Sequence, residues 1–122
     1  MDQAPIFIVD DEPMLLELAS LILRPLHHPL RTFRDPEEAF HEFLKGNPRP
    51  WLVVTDYQMH AMNGLDLIRL CRNADASVKI VLVSGTVGED IYAGSAVKPD
   101  RFLAKPYTPT QLLDCVEKLL PE

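Results

Sequence analysis

Cysteine is nearly absent from these 122 residues, represented only by Cys71 and Cys115. Both fall on apolar helical faces and read as small buried thiols, and a disulfide would be unusual in a reducing compartment. The four histidines lack the spacing of metal ligands. Clustered positive charge is missing as well: 12 Lys and Arg against 18 Asp and Glu leave a net charge of −6. That balance argues against direct nucleic-acid binding, which needs grouped Lys and Arg to meet phosphates. No apolar run approaches the roughly 18 residues of a membrane span, which argues against a membrane partner. The N-terminus carries no signal-peptide pattern, so the expected compartment is the cytoplasm. Internal repeats, linkers and low-complexity tails are absent too.

What remains suits a folded chain. The 47% hydrophobic fraction fits a compact globular protein, and the length fits one domain over residues 1–122. The centre is Trp51-Leu52-Val53-Val54-Thr55-Asp56. An unalternating apolar run reads as a strand covered on both faces, as in a parallel sheet. Ligands of open α/β sheets collect outside the carboxyl ends of the strands, where Asp56 lies.

Pro5-Ile6-Phe7-Ile8-Val9 is a second such run and ends in Asp10, Asp11 and Glu12. Pro13 suits a first helical turn, and Met14, Leu15, Leu18, Leu21 and Ile22 mark an amphipathic helix ending around Pro25. Leu30 to Phe33 alternates like a half-exposed edge strand. Asp35-Pro36-Glu37-Glu38 opens a helix with a cap and a proline at its first position; that helix carries Ala39, Phe40, Phe43 and Leu44 and ends near Gly46. Asn63 caps a third helix bearing Leu65, Ile68 and Cys71. Lys79 to Ser84 is another buried strand and Arg101 to Ala104 a short last one. Between these two, Gly85, Gly88, Gly94 and Pro99 leave room only for a short or irregular fourth helix near residues 89–93, each interior glycine costing about 1 kcal/mol. Thr108-Pro109-Thr110-Gln111 is a capping box opening the last helix. The alternation predicts an α/β fold: a single doubly wound, five-stranded parallel sheet with helices on both faces, in the flavodoxin-like order 2-1-3-4-5.

In that order five polar groups share one rim: Asp10 and Asp11 after strand one, Asp56 after strand three, Ser84 ending strand four, and Lys105 after strand five. Three crowded carboxylates raise one another's pKa unless a cation intervenes. Lys105 supplies one cation, and an all-oxygen site suits Mg²⁺ as the second, with Mn²⁺ as the alternative. An ionised aspartate beside such an ion can attack a phosphoryl group whose oxygens are held by the metal, the Lys105 ammonium and the Ser84 hydroxyl.

The sequence resembles the receiver domain of two-component response regulators. The resemblance rests on Val9-Asp10-Asp11-Glu12, on Asp56-Tyr57-Gln58-Met59 with Met62 and Gly64, on Ser84-Gly85, and on Phe102 followed by Lys105-Pro106. It implies that Asp56 accepts a phosphoryl group from a histidine-kinase phosphohistidine, with Mg²⁺ held by Asp11, Asp56 and the backbone carbonyl of Gln58 while Asp10 acts through water. It also implies a cis Lys105–Pro106 bond, switching through Ser84 and Phe102, and an output face formed by the fourth helix, the last strand and the last helix. Such a domain is a signalling switch that catalyses only its own phosphorylation and dephosphorylation. Its implied partners are a sensor kinase or phosphotransfer protein; an output domain, a partner protein and a homodimer stay open. His60 departs from the family pattern by replacing a proline; weighed against a phosphodonor or metal-ligand role, it reads as a solvated loop histidine. Gln58 and Thr86 lie where the family tunes dephosphorylation.

Two other readings compete. A haloacid-dehalogenase-type phosphatase needs Asp-x-Asp, but Glu12 and Gln58 stand where the second acid would be. A receiver-like interaction module working without phosphorylation usually lacks an acid or the lysine, and all are present here.

Overall fold

The apolar runs become the strands of one sheet in the computed structural model, which describes residues 3–121. The strands are β1 (Ile6–Val9), β2 (Leu30–Phe33), β3 (Leu52–Asp56), β4 (Lys79–Ser84) and β5 (Arg101–Ala104). All neighbours run parallel, in the order β2-β1-β3-β4-β5. Four α-helices lie among the described residues: α1 (Pro13–Leu23), α2 (Pro36–Lys45), α3 (Gly64–Ala74) and α4 (Pro109–Glu117). The expected order and two-faced covering are therefore present, with β2 and β5 as edges.

Alternate strand residues point to opposite faces, which divides the core in two. Ile6, Ile8, Leu52, Val54, Val81 and Val83 pack with Leu16, Ala19 and Leu23 of α1 and Leu112 and Val116 of α4. Phe7, Val9, Val53, Ile80 and Leu82 pack with Ala39 and Phe43 of α2 and Leu67, Ile68 and Cys71 of α3. β3 is buried from end to end, as its lack of alternation required.

Helix starts follow local chemistry. Asp35 accepts from the Glu37 amide, and full capping boxes join Asn63 to Asp66 and Thr108 to Gln111. α1 differs in its face. Its apolar residues surround the helix, and packing buries Leu16, Ala19 and Leu23 while Met14, Leu18 and Leu21 stay exposed. Cys71 is buried but Cys115 only partly so.

The segment between β4 and β5 forms a single 3₁₀ turn, Glu89–Tyr92, in place of a fourth α-helix. It is tied down at its ends. The Ser84 hydroxyl accepts from the amides of Thr86 and Val87 at 3.1 and 3.0 Å. At the other end the Asp100 carboxylate accepts from the Ile80 amide at 2.8 Å and pairs with Arg72.

The registers bring the strand ends together. Val9 lies beside Thr55, Asp56 beside Val83, and Ser84 beside Ala104, so Asp10, Asp56, Ser84 and Lys105 emerge on one rim. Gly64 closes the loop that leaves it. Its amide donates to the Tyr57 carbonyl at 2.7 Å. A Cβ there would lie 2.7 Å from the Asp56 carbonyl oxygen and 2.7 Å from Leu82 Cδ1.

Helix propensity favours alanine over glycine by about 1 kcal/mol, but this clash is with backbone and outweighs it. We expect Gly64→Ala to lower stability by about 1–3 kcal/mol in urea unfolding. Gly94→Ala, where the added carbon would meet nothing within 4 Å, should be near neutral in the same assay.

Candidate functional site

Each acid at the rim has a distinct environment. Asp10 is only 7% exposed; its Oδ1 accepts from the Glu12 amide at 2.9 Å and its Oδ2 from Lys105 Nζ at 3.1 Å. Asp56, the last residue of β3, is 9% exposed, and its Oδ1 lies 3.4 Å from the same ammonium. Asp11 is half-buried. One carboxylate oxygen from each of Asp10, Asp11 and Asp56 lies within 4.8 Å of the others.

Lys105 reaches this group from β5, whose end is held to β4 by the Lys105 amide donating to the Ser84 carbonyl at 2.9 Å. The Lys105–Pro106 peptide bond is cis, as the resemblance implies, and so is Asn47–Pro48. Above the acids opens a cleft of about 370 Å³ lined by Asp11, Glu12, Asp56, Gln58, Gly85, Thr86 and Lys105.

Burial pushes the Asp56 carboxyl up to about 6, with the Asp10 charge adding to the rise and Lys105 opposing it. Burial alone would lower the Lys105 pKa, but the hydrogen bond and charge of Asp10, with the charge of Asp56, leave it raised overall. The lysine therefore stays ionised and the aspartate gives up its proton reluctantly.

The other expected residues sit around this centre. Ser84 is buried at the end of β4, and its oxygen serves its own turn, with Thr86 Oγ1 3.4 Å away. Gln58 is exposed on the cleft wall. Phe102 is half-buried, one strand away from Ser84, and stacks on Tyr92 with ring centroids 6.2 Å apart. Glu12 and Thr86 also line the cleft. His60 is a solvated loop residue, its side chain 94% exposed, with Nε2 3.7 Å from Asp11 Oδ2. That contact depends on the path of the loop after Asp56, which side-chain periodicity does not encode.

The donor set fits a hard divalent cation: several carboxylate oxygens at one point, open to water on the cleft side. The model of the response regulator receiver domain matches residues 6–117. The chain belongs to this family.

The receiver is 32% identical over 109 residues to the DNA-binding response regulator MtrA of Mycolicibacterium smegmatis, covering 88% of this chain and 46% of that protein. It spans about half the length of the curated relatives it matches. Among solved structures it resembles the chemotaxis response regulator CheY4 of Vibrio cholerae, with a TM-score of 0.85 at 25% identity, covering 97% of this chain and 99% of that one. It also resembles response regulator TrrA of Thermotoga maritima in complex with Mg²⁺-BeF, with a TM-score of 0.82 at 28% identity, covering 97% and 100%. Among its described residues no helix is long and apolar enough to cross a membrane.

The raised Asp56 pKa has a definite stability consequence. The fold binds this proton more tightly than the unfolded chain does, so the charged form costs stability once the pH exceeds about 6. The cost shrinks as pH falls from about 6 toward 4, where both states become protonated. In metal-free buffer, Asp56→Asn should therefore stabilise the receiver by about 1–3 kcal/mol near pH 8. Unfolding curves at descending pH should show that advantage fading through the same range.

Proposed function

We propose that this receiver is a phosphorylation switch in which Asp56 takes a phosphoryl group from the phosphohistidine of a sensor kinase or phosphotransfer protein. The observation that carries this reading is the shared ammonium: Lys105 Nζ stands 3.1 Å from Asp10 and 3.4 Å from Asp56 in an otherwise acidic cleft. An Asp56 carboxylate oxygen attacks phosphorus, the phosphorus–nitrogen bond breaks, and its electron pair returns to the donor imidazole. Lys105 is within reach of one phosphoryl oxygen and opposes the charge that builds there. Water attacking phosphorus later breaks the new bond and restores the carboxylate. When bound, Mg²⁺, or Mn²⁺ in its place, neutralises charge on the phosphoryl oxygens; Asp11, Asp56 and the Gln58 carbonyl would hold it, with Asp10 acting through water.

Ser84 links this chemistry to shape. Its oxygen already accepts two amides, leaving its single proton to be donated to a phosphoryl oxygen. A move of Ser84 toward the phosphate would carry the Thr86–Val87 turn with it, and further along the same connection Tyr92 stacks on Phe102 of β5. The phosphorylated state is favoured by whatever extra contacts it gains. An output domain, a separate partner or a second receiver would read the result, in a cytoplasmic setting.

The donor's carrier must cover the rim to present its histidine. Met14, Leu18 and Leu21 form an exposed apolar line at i, i+4 and i+7 on α1. Beside it is a cleft of about 280 Å³ lined by Leu15, Leu18, Lys105, Pro106 and Tyr107. This surface adjoins the site and suits an apolar helical partner.

Phosphoramidate with Mg²⁺ should add one phosphoryl mass to the wild type and none to Asp56→Asn; a wild type that gains no mass, or a variant that gains it equally, would remove the proposal. Leu18→Glu should slow transfer from a phosphorylated kinase by about tenfold or more, a loss of the size expected from a truncated apolar anchor. Labelling by phosphoramidate, which needs no docking, should proceed in the same variant.

A further inference from the structure

A second concave surface lies at the opposite end of the sheet from the acids. Leu30 pairs with Ile6 at the start of β1, and there a cleft of about 640 Å³ opens between β2 and the C-terminal end of α1. Arg24, His27 and His28 line it, together with Gln3, Thr32 and Leu30. Among the described residues no Asp or Glu lines this cleft, in a chain where acids outnumber Lys and Arg by 18 to 12. The Arg24 guanidinium has no ion-pair partner among the described residues, whereas Arg31, Arg69 and Arg72 each hold a carboxylate. A cation after a helix C-terminus is favoured by the helix dipole, which accounts for Arg24 alone. It does not account for two histidines facing the same space.

His28 is fixed in place from two sides. The Ile6 amide donates to the carbonyl of the next residue, Pro29, at 2.8 Å, and the imidazole lies against Trp51 with ring centroids 5.2 Å apart. Its Nδ1 is shut away from solvent with no hydrogen-bond partner among the described residues. A buried N–H without an acceptor is rarer than a buried acceptor without a donor, so the neutral ring keeps its proton on Nε2. That N–H is the donor His28 offers to the cleft. With the Arg24 fork, the His27 ring, the Gln3 carboxamide and the Thr32 hydroxyl, it makes a set of donors of mixed charge around one space. Such a set matches the several oxygens of a phosphate monoester, two of which a guanidinium binds in parallel. The cleft has the size of an organic-ligand site, and Leu30 gives the non-phosphate part an apolar support.

We propose that this cleft binds a small organic phosphate, with Arg24, His27 and His28 holding the phosphate group. The site is separate from the phosphoacceptor rim, which lies beyond the other end of β1 and β3, and it stands whether or not Asp56 is phosphorylated.

The probes are adenosine 5′-monophosphate and inorganic phosphate, titrated without divalent metal at one pH and ionic strength. Trp51 is the single tryptophan of the chain, and its contact with His28 makes its fluorescence a reporter of the cleft. The nucleotide should change that fluorescence saturably, with the same affinity by calorimetry. In nitrogen-resolved NMR the ring signals of His27 and His28 should shift while those of His41 and His60 stay in place. Inorganic phosphate should move the same signals with weaker affinity, and adenosine, which lacks the phosphate, should not bind. Arg24→Gln and His27→Gln should each weaken nucleotide binding by about tenfold or more. Arg24→Lys, which keeps the charge but loses the fork, should fall between wild type and Arg24→Gln. Both positions are exposed, so urea unfolding of these variants should match the wild type. Asp56→Asn should bind the nucleotide as the wild type does, which separates this site from the rim. The proposal is overturned if neither probe gives a saturable signal, if adenosine binds as tightly as its monophosphate, or if folded Arg24→Gln binds unchanged.

Discussion

One ammonium group shared by two nearly buried carboxylates governs this molecule. Asp10 follows β1 and Asp56 ends the adjacent β3, and without Lys105 between them burial and mutual repulsion would force at least one to hold a proton. The lysine comes from the far edge strand, so the arrangement exists only when the sheet is complete. Its position therefore couples the site to the integrity of β5, and the Lys105 amide bonded to Ser84 secures that edge. The residual strain is visible in Asp56, whose pKa stays near 6 even with the lysine in place. A group left charged against its solvation preference is poised to exchange that charge for a bond.

The sheet supplies precision by economical means. Parallel registers without bulges bring Asp56, Ser84 and the start of the Lys105 turn to one level. The loop after Asp56 is then closed by Gly64, where the α3 backbone presses against the β3 carbonyl too tightly for any side chain. The glycine and the capping box at Asn63 act together: one permits the approach and the other fixes the helix axis.

The strands, their order and the rim were legible because they depend on short-range signals. Unbroken apolar runs gave β1, β3 and β4, and proline with caps gave the starts of α2 and α4. The breaker residues between Gly85 and Pro99 announced a weak fourth helix, and a single 3₁₀ turn is what that weakness leaves. α1 was harder to read. With apolar side chains around its whole circumference, the choice of Leu16, Ala19 and Leu23 as the inner face is made by what packs above it. The approach of His60 to Asp11 was likewise illegible, since it depends on the path of the loop after Asp56, which includes a positive φ at Ala61. The rotation of Ser84 onto its own turn, with Glu12 and Thr86 filling the cleft wall, depends on side-chain conformations set by neighbours.

The 3₁₀ turn between β4 and β5 shapes how the molecule breathes. It is one turn long, closed by bonds such as Ile91–Gly88, Ala93–Asp90 and Ser95–Tyr92, and has no extended α-helical ladder around it. Protection against solvent exchange accumulates cooperatively, so such a stretch opens long before the strands on either side do. The receiver thus has a soft wall directly behind Ser84, and local reshaping there leaves the central strands untouched.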